Sequence, residues 1–245
     1  MSAIETNIAD SVLTLRLNRP DKKNALSRAM YAALADALEG AGTNDAAKAV
    51  LIAGQPGAFS AGNDLADFLA VASGGEVPHE IARFLNAIVD LSLPLVASVD
   101  GLAIGIGTTL LMHCDHVVAS KESVFRTPFA DLGLTPEAAS SLLAPRLMGH
   151  QRAFALLAIG ETFDAQAARE AGLVTRIVDS DPDATALEAA QALAAKPAEA
   201  IAIAKRLLRG DTAEIKARIE EEITLFSQRL VSPEARRAFE AFLKK

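Results

Sequence analysis

Apolar and polar residues alternate along residues 4–17, on either side of Asp10-Ser11. This period-two pattern predicts a β-hairpin at the edge of a sheet. The period then lengthens. Ser27 precedes a stretch in which Met30, Leu34 and Leu38 fall on one face, which predicts a capped helix running to about Gly40. Four short apolar runs, Ala49–Ala53, Leu95–Val99, 116–119 and 174–178, read as buried strands with helical segments between them. That order predicts βαβ connections and a largely parallel sheet. From about Thr185 the periodicity is helical only, with amphipathic helices expected over Thr212–Leu230 and Pro233–Leu243. The chain thus divides into an α/β core, 1–184, and a C-terminal helical region, 185–245, expected to serve as cap and assembly element. Gly74-Gly75 and Val77-Pro78 mark a loop able to open and close over a ligand.

Composition narrows the function classes. A chain of 245 residues with 51% hydrophobic residues has ample material for a core, and a chain of this size buries roughly 70–75% of its extended surface. The core draws on Ala, Leu, Ile and Val, since there is no Trp and a single Tyr, which implies close helix packing. A net charge of -7 argues against nucleic acid as a main partner. It leaves room for an anionic small molecule held by a local basic cluster. The single cysteine, Cys114, excludes an intrachain disulfide and reads as a buried inert thiol. No leader pattern opens the sequence, and the apolar stretch of residues 101–112 is too short to span a bilayer. A cytoplasmic protein without a membrane partner is expected.

Two segments carry the chemistry. One reads Ala58-Phe-Ser-Ala-Gly-Asn-Asp-Leu65; the other reads Val99-Asp-Gly-Leu-Ala-Ile-Gly-Ile-Gly-Thr-Thr109. Each is a strand entering a small-residue turn that opens a helix, and such a turn leaves backbone N–H groups unpaired. Two such turns aimed at one point can grip a single oxyanion. With Asn18-Arg-Pro-Asp-Lys-Lys-Asn-Ala-Leu26 upstream and Ser232-Pro-Glu-Ala-Arg-Arg-Ala-Phe239 near the end, the chain resembles the crotonase superfamily, the enoyl-CoA hydratases and isomerases. The resemblance implies an α/β fold, a spiral of stacked ββα turns with a C-terminal helical oligomerisation region. It also implies an acyl-CoA thioester substrate, coenzyme A entering as part of that substrate with no separate cofactor, and a homotrimer or dimer of trimers.

Thioester chemistry at the α carbon passes through an enolate, and fixed N–H donors stabilise the charge that develops on its oxygen. By resemblance the donors are the backbone amides of Ala61 and Ile106; the family usually has Gly at the second position. The same resemblance assigns Lys22 and Lys23 to the nucleotide phosphates and Asn63 and Leu65 to the adenine end. Ala25 and Leu26 fall with the substrate site. Asp64 stands where a carboxylate can cap the next helix.

A family hydratase uses two glutamates to activate water, and alignment on the flanking residues puts Thr109 and Phe129 at those positions. Both glutamates are absent. Eight residues after Phe129, Pro136-Glu137 followed by small residues looks like the Δ3,Δ2-enoyl-CoA isomerases of the peroxisomal type. Their glutamate in this motif is the base, here Glu137. One carboxylate can move a proton from C2 to C4. Pro136-Glu137 is also a common helix opening. Asp131 is the second candidate acid, or an exposed or capping residue. His79, His113, His116 and His150 form no ligand set, so no metal is expected. Ser60 lacks a nucleophile's context, and Ser140-Ser141 suits tight helix packing. Three readings remain open: an enoyl-CoA isomerase, an enoyl-CoA hydratase in which Asp131 substitutes for a missing acid, and a non-catalytic acyl-CoA-binding protein.

Overall fold

The expected hairpin is the outer edge of a six-stranded sheet in the computed structural model, which describes residues 2–42, 45–72 and 78–243. β1 (Ile4–Ala9) pairs antiparallel with β2 (Val12–Leu17) across Asp10 and Ser11, whose φ of 50° and 61° suits a tight two-residue turn. β2 then pairs parallel with β3 (Ala49–Ala53). β4 (Ala58–Ser60), β5 (Leu95–Val99), β6 (Leu102–Ile104), β7 (His116–Ser120), β8 (Val124–Arg126), β9 (Phe163–Asp164) and β10 (Arg176–Val178) follow along the chain. The larger sheet runs β1-β2-β3-β5-β7-β10 and the smaller runs β4-β6-β8-β9. β3, β5 and β7 of the larger sheet each lead into a short strand of the smaller one, β4, β6 and β8, and then into helical segments. This is the expected spiral of ββα turns.

The helices in chain order are α1 (Arg28–Ala41), α2 (Leu65–Ala72), α3 (His79–Asp90), α4 (Ile106–Thr109), α5 (Ser140–Met148) and α6 (His150–Phe154). After them come α7 (Ala165–Glu170), α8 (Pro182–Ala194), α9 (Ala198–Arg209), α10 (Thr212–Leu230) and α11 (Pro233–Leu243). β3 and β5 are buried at every position because both faces of the sheet are covered, and Ser98, the one polar residue in them, donates its hydroxyl to Asp183. Val50 and Ile52 point into the main core with Leu34 and Leu38 of α1. Ala49, Leu51, Val96 and Val118 meet Ala186, Ala190 and Ala194, a stripe of small residues that lets α8 lie close on the sheet. The division drawn at residue 184 falls inside α8, so this helix packs with the α/β layers.

The apolar stripe of the C-terminal helices packs back on its own chain: Ile215, Ile219, Phe226, Leu230 and Phe239 are buried. Phe68 of α2 stacks obliquely on Phe226 and Phe239 at centroid distances of 5.5 and 6.4 Å, so α10 and α11 close over the segment after β4. The most exposed large apolar side chains are Leu207 and Leu208 of α9, with Phe154 and Ile159. Polar contacts hold α9 down: Lys205 Nζ donates to Leu93 O at 2.6 Å and pairs with Asp115 at 2.7 Å. No helix among the described residues is long and apolar enough to cross a membrane. The loop expected around Gly74-Gly75 and Val77 lies outside the described residues, as does the side chain of Phe242.

Candidate active site

The two glycine turns meet. β4 ends at Ser60, and Gly62 follows with φ 96°; β6 ends at Ile104, and Gly105 follows with φ 54°. A Cβ on Gly62 would sit 3.0 Å from Ile104 O, so a side chain there would push the turns apart. A Cβ on Gly105 would lie 3.9 Å from both Gly62 Cα and Glu137 Oε1. Both turns and the carboxylate of Glu137 therefore border one small volume.

The amides of these turns are not equivalent. Ala61 N–H donates to Lys23 O at 2.9 Å, and Gly62 N–H donates to Ser60 Oγ at 3.1 Å. Ala61 is thus corrected as an oxyanion donor, because the turn around Pro20–Lys22 brings the Lys23 carbonyl against it and occupies its proton. The next amide, that of Asn63, donates to no other described residue, and neither does that of Ile106 at the start of α4. Those two are the available N–H groups. Ser60 Oγ donates to Asn24 O at 2.9 Å as well as accepting from Gly62, so its hydroxyl serves the turn.

Glu137 sits between β8 and α5 and is 6% exposed. Asn63 Nδ2 donates to its Oε1 and Oε2 at 3.3 and 3.2 Å. Burial pushes its carboxyl up to about 8, the Asn63 amide opposes the rise, and the charge of Glu222 adds to it. Its other surroundings are mostly apolar: Phe68, Val71, Ile81, Leu85, Ile223 and Phe226, with Ser227, wall a small pocket with about 20 Å³ of free volume.

The backbone that presents Glu137 is unusual. Ala138 and Ala139 both adopt left-handed conformations, φ 62° and 54°, which cost an L-residue energy and persist only when neighbours enforce them. His113, held neutral at about 4 by burial, fixes Ala138 O through Nε2 at 2.8 Å. Ala139 precedes α5 without a side chain able to cap it, and Glu222 of α10 fills that place by accepting from Ser141 N–H at 2.9 Å. Sequence reading missed Glu222. Its signal was available: it interrupts the apolar stripe of Ile215, Ile219, Phe226 and Leu230 on α10 and is itself 4% exposed.

Other expected site residues fall elsewhere. Asp64 pairs with Arg19 at 2.5 Å and accepts from Ala66 N–H at 2.8 Å, so it caps α2 as its place after the turn implies, and its carboxylate is not a group of the substrate site. Asp131 is exposed and pairs with Arg126 at 2.6 Å, which corrects its place beside the reacting atoms. Phe129 is buried in the core, and Leu26 bridges backbone to backbone with Asn63. Asn63 was assigned to the adenine end; its side chain instead faces Glu137. Leu65 opens α2 and packs half-buried on the core. Ala25 is half-buried, and Lys22 and Lys23 are exposed beside the Ala61 turn. Thr109 is buried, and its hydroxyl has no partner among the described residues.

Comparison with known proteins bears on this geometry. The family described as Enoyl-CoA hydratase/isomerase matches residues 7–245. Enoyl-CoA delta isomerase 2 of Rattus norvegicus is 35% identical over 241 residues, 96% of this chain, and the chain spans 61% of that protein's length. The 2,3-dehydroadipyl-CoA hydratase of Escherichia coli K12 is 34% identical, with 100% of this chain and 97% of that protein covered. The crystal structure of an enoyl-CoA hydratase/isomerase from Pseudoalteromonas atlantica T6c superposes with a TM-score of 0.93 at 41% identity, covering 99% of this chain and 97% of that one.

Proposed function

The chain belongs to the enoyl-CoA hydratase/isomerase family, and from that premise we propose that it binds acyl-CoA thioesters and shifts a 3-enoyl double bond to the 2-trans position. The observation that carries this reading is the buried carboxylate of Glu137 against two turns whose Asn63 and Ile106 amides are unspent. With the thioester oxygen on those amides, Glu137 takes a proton from C2. The electrons pass into the thioester to give an enolate, and the two N–H groups stabilise its oxygen. The same carboxyl then returns the proton at C4, and the double bond is left between C2 and C3. Substrate and product are isomers, so no water or second acid enters the balance. Lys22 and Lys23, on the surface beside the first turn, are proposed to meet the phosphates of coenzyme A.

Hydration is supported less well. The two positions where a family hydratase would carry glutamates hold Thr109 and Phe129, and Asp131 is committed to Arg126 on the surface. Assembly as a homotrimer or dimer of trimers belongs to the same proposal, with Leu207 and Leu208 of α9 as exposed apolar area for it. The deciding experiment offers a cis-3-enoyl-CoA and crotonyl-CoA to the same preparation. Formation of the conjugated 2-trans product with little loss of crotonyl absorbance is expected. Rapid hydration of crotonyl-CoA with no double-bond shift at any chain length would overturn the isomerase reading.

A further inference from the structure

Asn63 stands at the junction of both halves of the site. Its backbone amide belongs to the first turn, and its side chain reaches Glu137. What orients that side chain is Tyr31 of α1. The phenol is 1% exposed, its ring lies against Phe84 at 5.5 Å, and its hydroxyl donates to Asn63 Oδ1 at 2.5 Å. A carbonyl oxygen that accepts the phenol leaves the NH2 end of the amide facing Glu137. Burial, with the charges of Glu137 and Asp67, raises the Tyr31 hydroxyl well above its ordinary range, so it stays protonated and keeps donating. Nδ2 lies almost equally far from the two carboxylate oxygens, 3.3 and 3.2 Å, and singles out neither.

We propose that Asn63, held by Tyr31, is the positioning residue for the base: its side-chain amide fixes the Glu137 carboxylate while its own backbone fixes the thioester oxygen. This rests on the reading of Glu137 as the base. One residue then sets the distance between the proton acceptor and the oxyanion site, and no rearrangement of the turn can change one without the other. Among the described side chains Asn63 is the hydrogen-bond donor to this carboxylate; the pocket walls are otherwise apolar except for Ser227, whose hydroxyl donates to Ile223 O. It also keeps the carboxylate usable, because a charged group buried without a donor returns to its neutral form. The other titratable groups that act on Glu137 are Glu222 from α10 and Tyr31 from α1, and Asp67 acts on Tyr31.

Asn63→Ala keeps the backbone amide and removes the side chain; Tyr31→Phe keeps the side chain and frees its orientation. Asn63→Ala is expected to lower kcat by up to about 10²-fold with KM within a few-fold of the parent. The acid limb of its pH–rate profile should move to higher pH. Tyr31→Phe should change both in the same direction and by less. Infrared titration of the carboxyl band that Glu137→Gln abolishes supplies a readout independent of turnover, and Asn63→Ala should shift that titration upward. An unmoved titration and unmoved acid limb in an Asn63→Ala protein that melts like the parent would overturn the proposal. So would a rise in KM with kcat intact. If Asn63→Ala does not fold, an unchanged profile in Tyr31→Phe overturns it. A fully active Glu137→Gln overturns the reading of the base itself, whereas an inactive Glu137→Gln beside a normal Asn63→Ala overturns only the positioning role.

Discussion

Asp64 follows Asn63 in the chain and Glu137 touches its side chain, yet the two carboxylates stand in opposite chemical states. Partial burial would raise Asp64. The Arg19 hydrogen bond, the Ala66 amide and the nearby charges of Arg19 and Lys22 outweigh it, and its carboxyl lies below the usual range. Glu137 is buried, meets one side-chain amide and no cation among the described residues, and is raised to about 8. Asp64 spends its charge on the fold, where it caps α2 and ties it to the segment before α1. Ionising Glu137 places a charge in the fold that no cation compensates among the described residues. An ionisable group held at a cost to stability, beside unspent backbone donors and facing an apolar pocket, is the arrangement expected of a reacting group.

The largest expected effect that separates the two is on turnover. Glu137→Gln keeps the side-chain shape and removes the base, so kcat for isomerisation should fall by about 10²–10⁴-fold while acyl-CoA affinity stays within a few-fold. Steady-state kinetics with a binding titration checks this, and a variant that loses affinity and keeps kcat would break the contrast.

The next effect is on stability, and its sign differs between the sites. Glu137 has a folded-state pKa of about 8, above the 4.5 of an exposed glutamate. The folded state therefore holds a proton that the unfolded state has lost, and stability drains away as pH rises from about 4.5 to about 8. Glu137→Gln should melt at a higher temperature than the parent at pH 9, with the gap closing toward pH 5. Thermal melts across that range measure it.

Asp64 gives the smallest effect and the opposite sign. Its folded pKa is lowered, so its contribution is present above the unfolded value of 3.8 and is lost as pH falls through the folded one. Asp64→Ala should cost about 1 kcal/mol, the usual worth of a helix cap, with kcat nearly unchanged. Chemical denaturation near neutral pH checks the cost. A crippled kcat in a variant that remains folded would mean that Asp64 faces the substrate after all.

Much of this fold is legible in the chain because strands buried on both faces must be largely apolar, as β3 is throughout and β5 is except at Ser98. The hairpin at Asp10-Ser11 and the Ser27 cap are equally local and equally readable. Glu137 was reachable through the Pro-Glu motif and the missing acids at Thr109 and Phe129. Which amide of the first turn is free was not reachable. That depends on the Lys23 carbonyl meeting Ala61 across 38 residues of chain, a tertiary contact with no local trace. The direction of the Asn63 side chain is likewise set by Tyr31, from another helix. Asp64 and Asp131 show the same limit, since their partners Arg19 and Arg126 are chosen by folding.

The account turns on enolisation at a thioester held between Asn63, Ile106 and Glu137. Exchange of the C2 protons of an acyl-CoA thioester into heavy water reports that step whatever product follows. The account predicts exchange catalysed by the parent, abolished in Glu137→Gln and retained in Asp64→Ala. Exchange that persists in Glu137→Gln, or that is absent from the parent across a panel of acyl chain lengths while the thioester still binds, would contradict it.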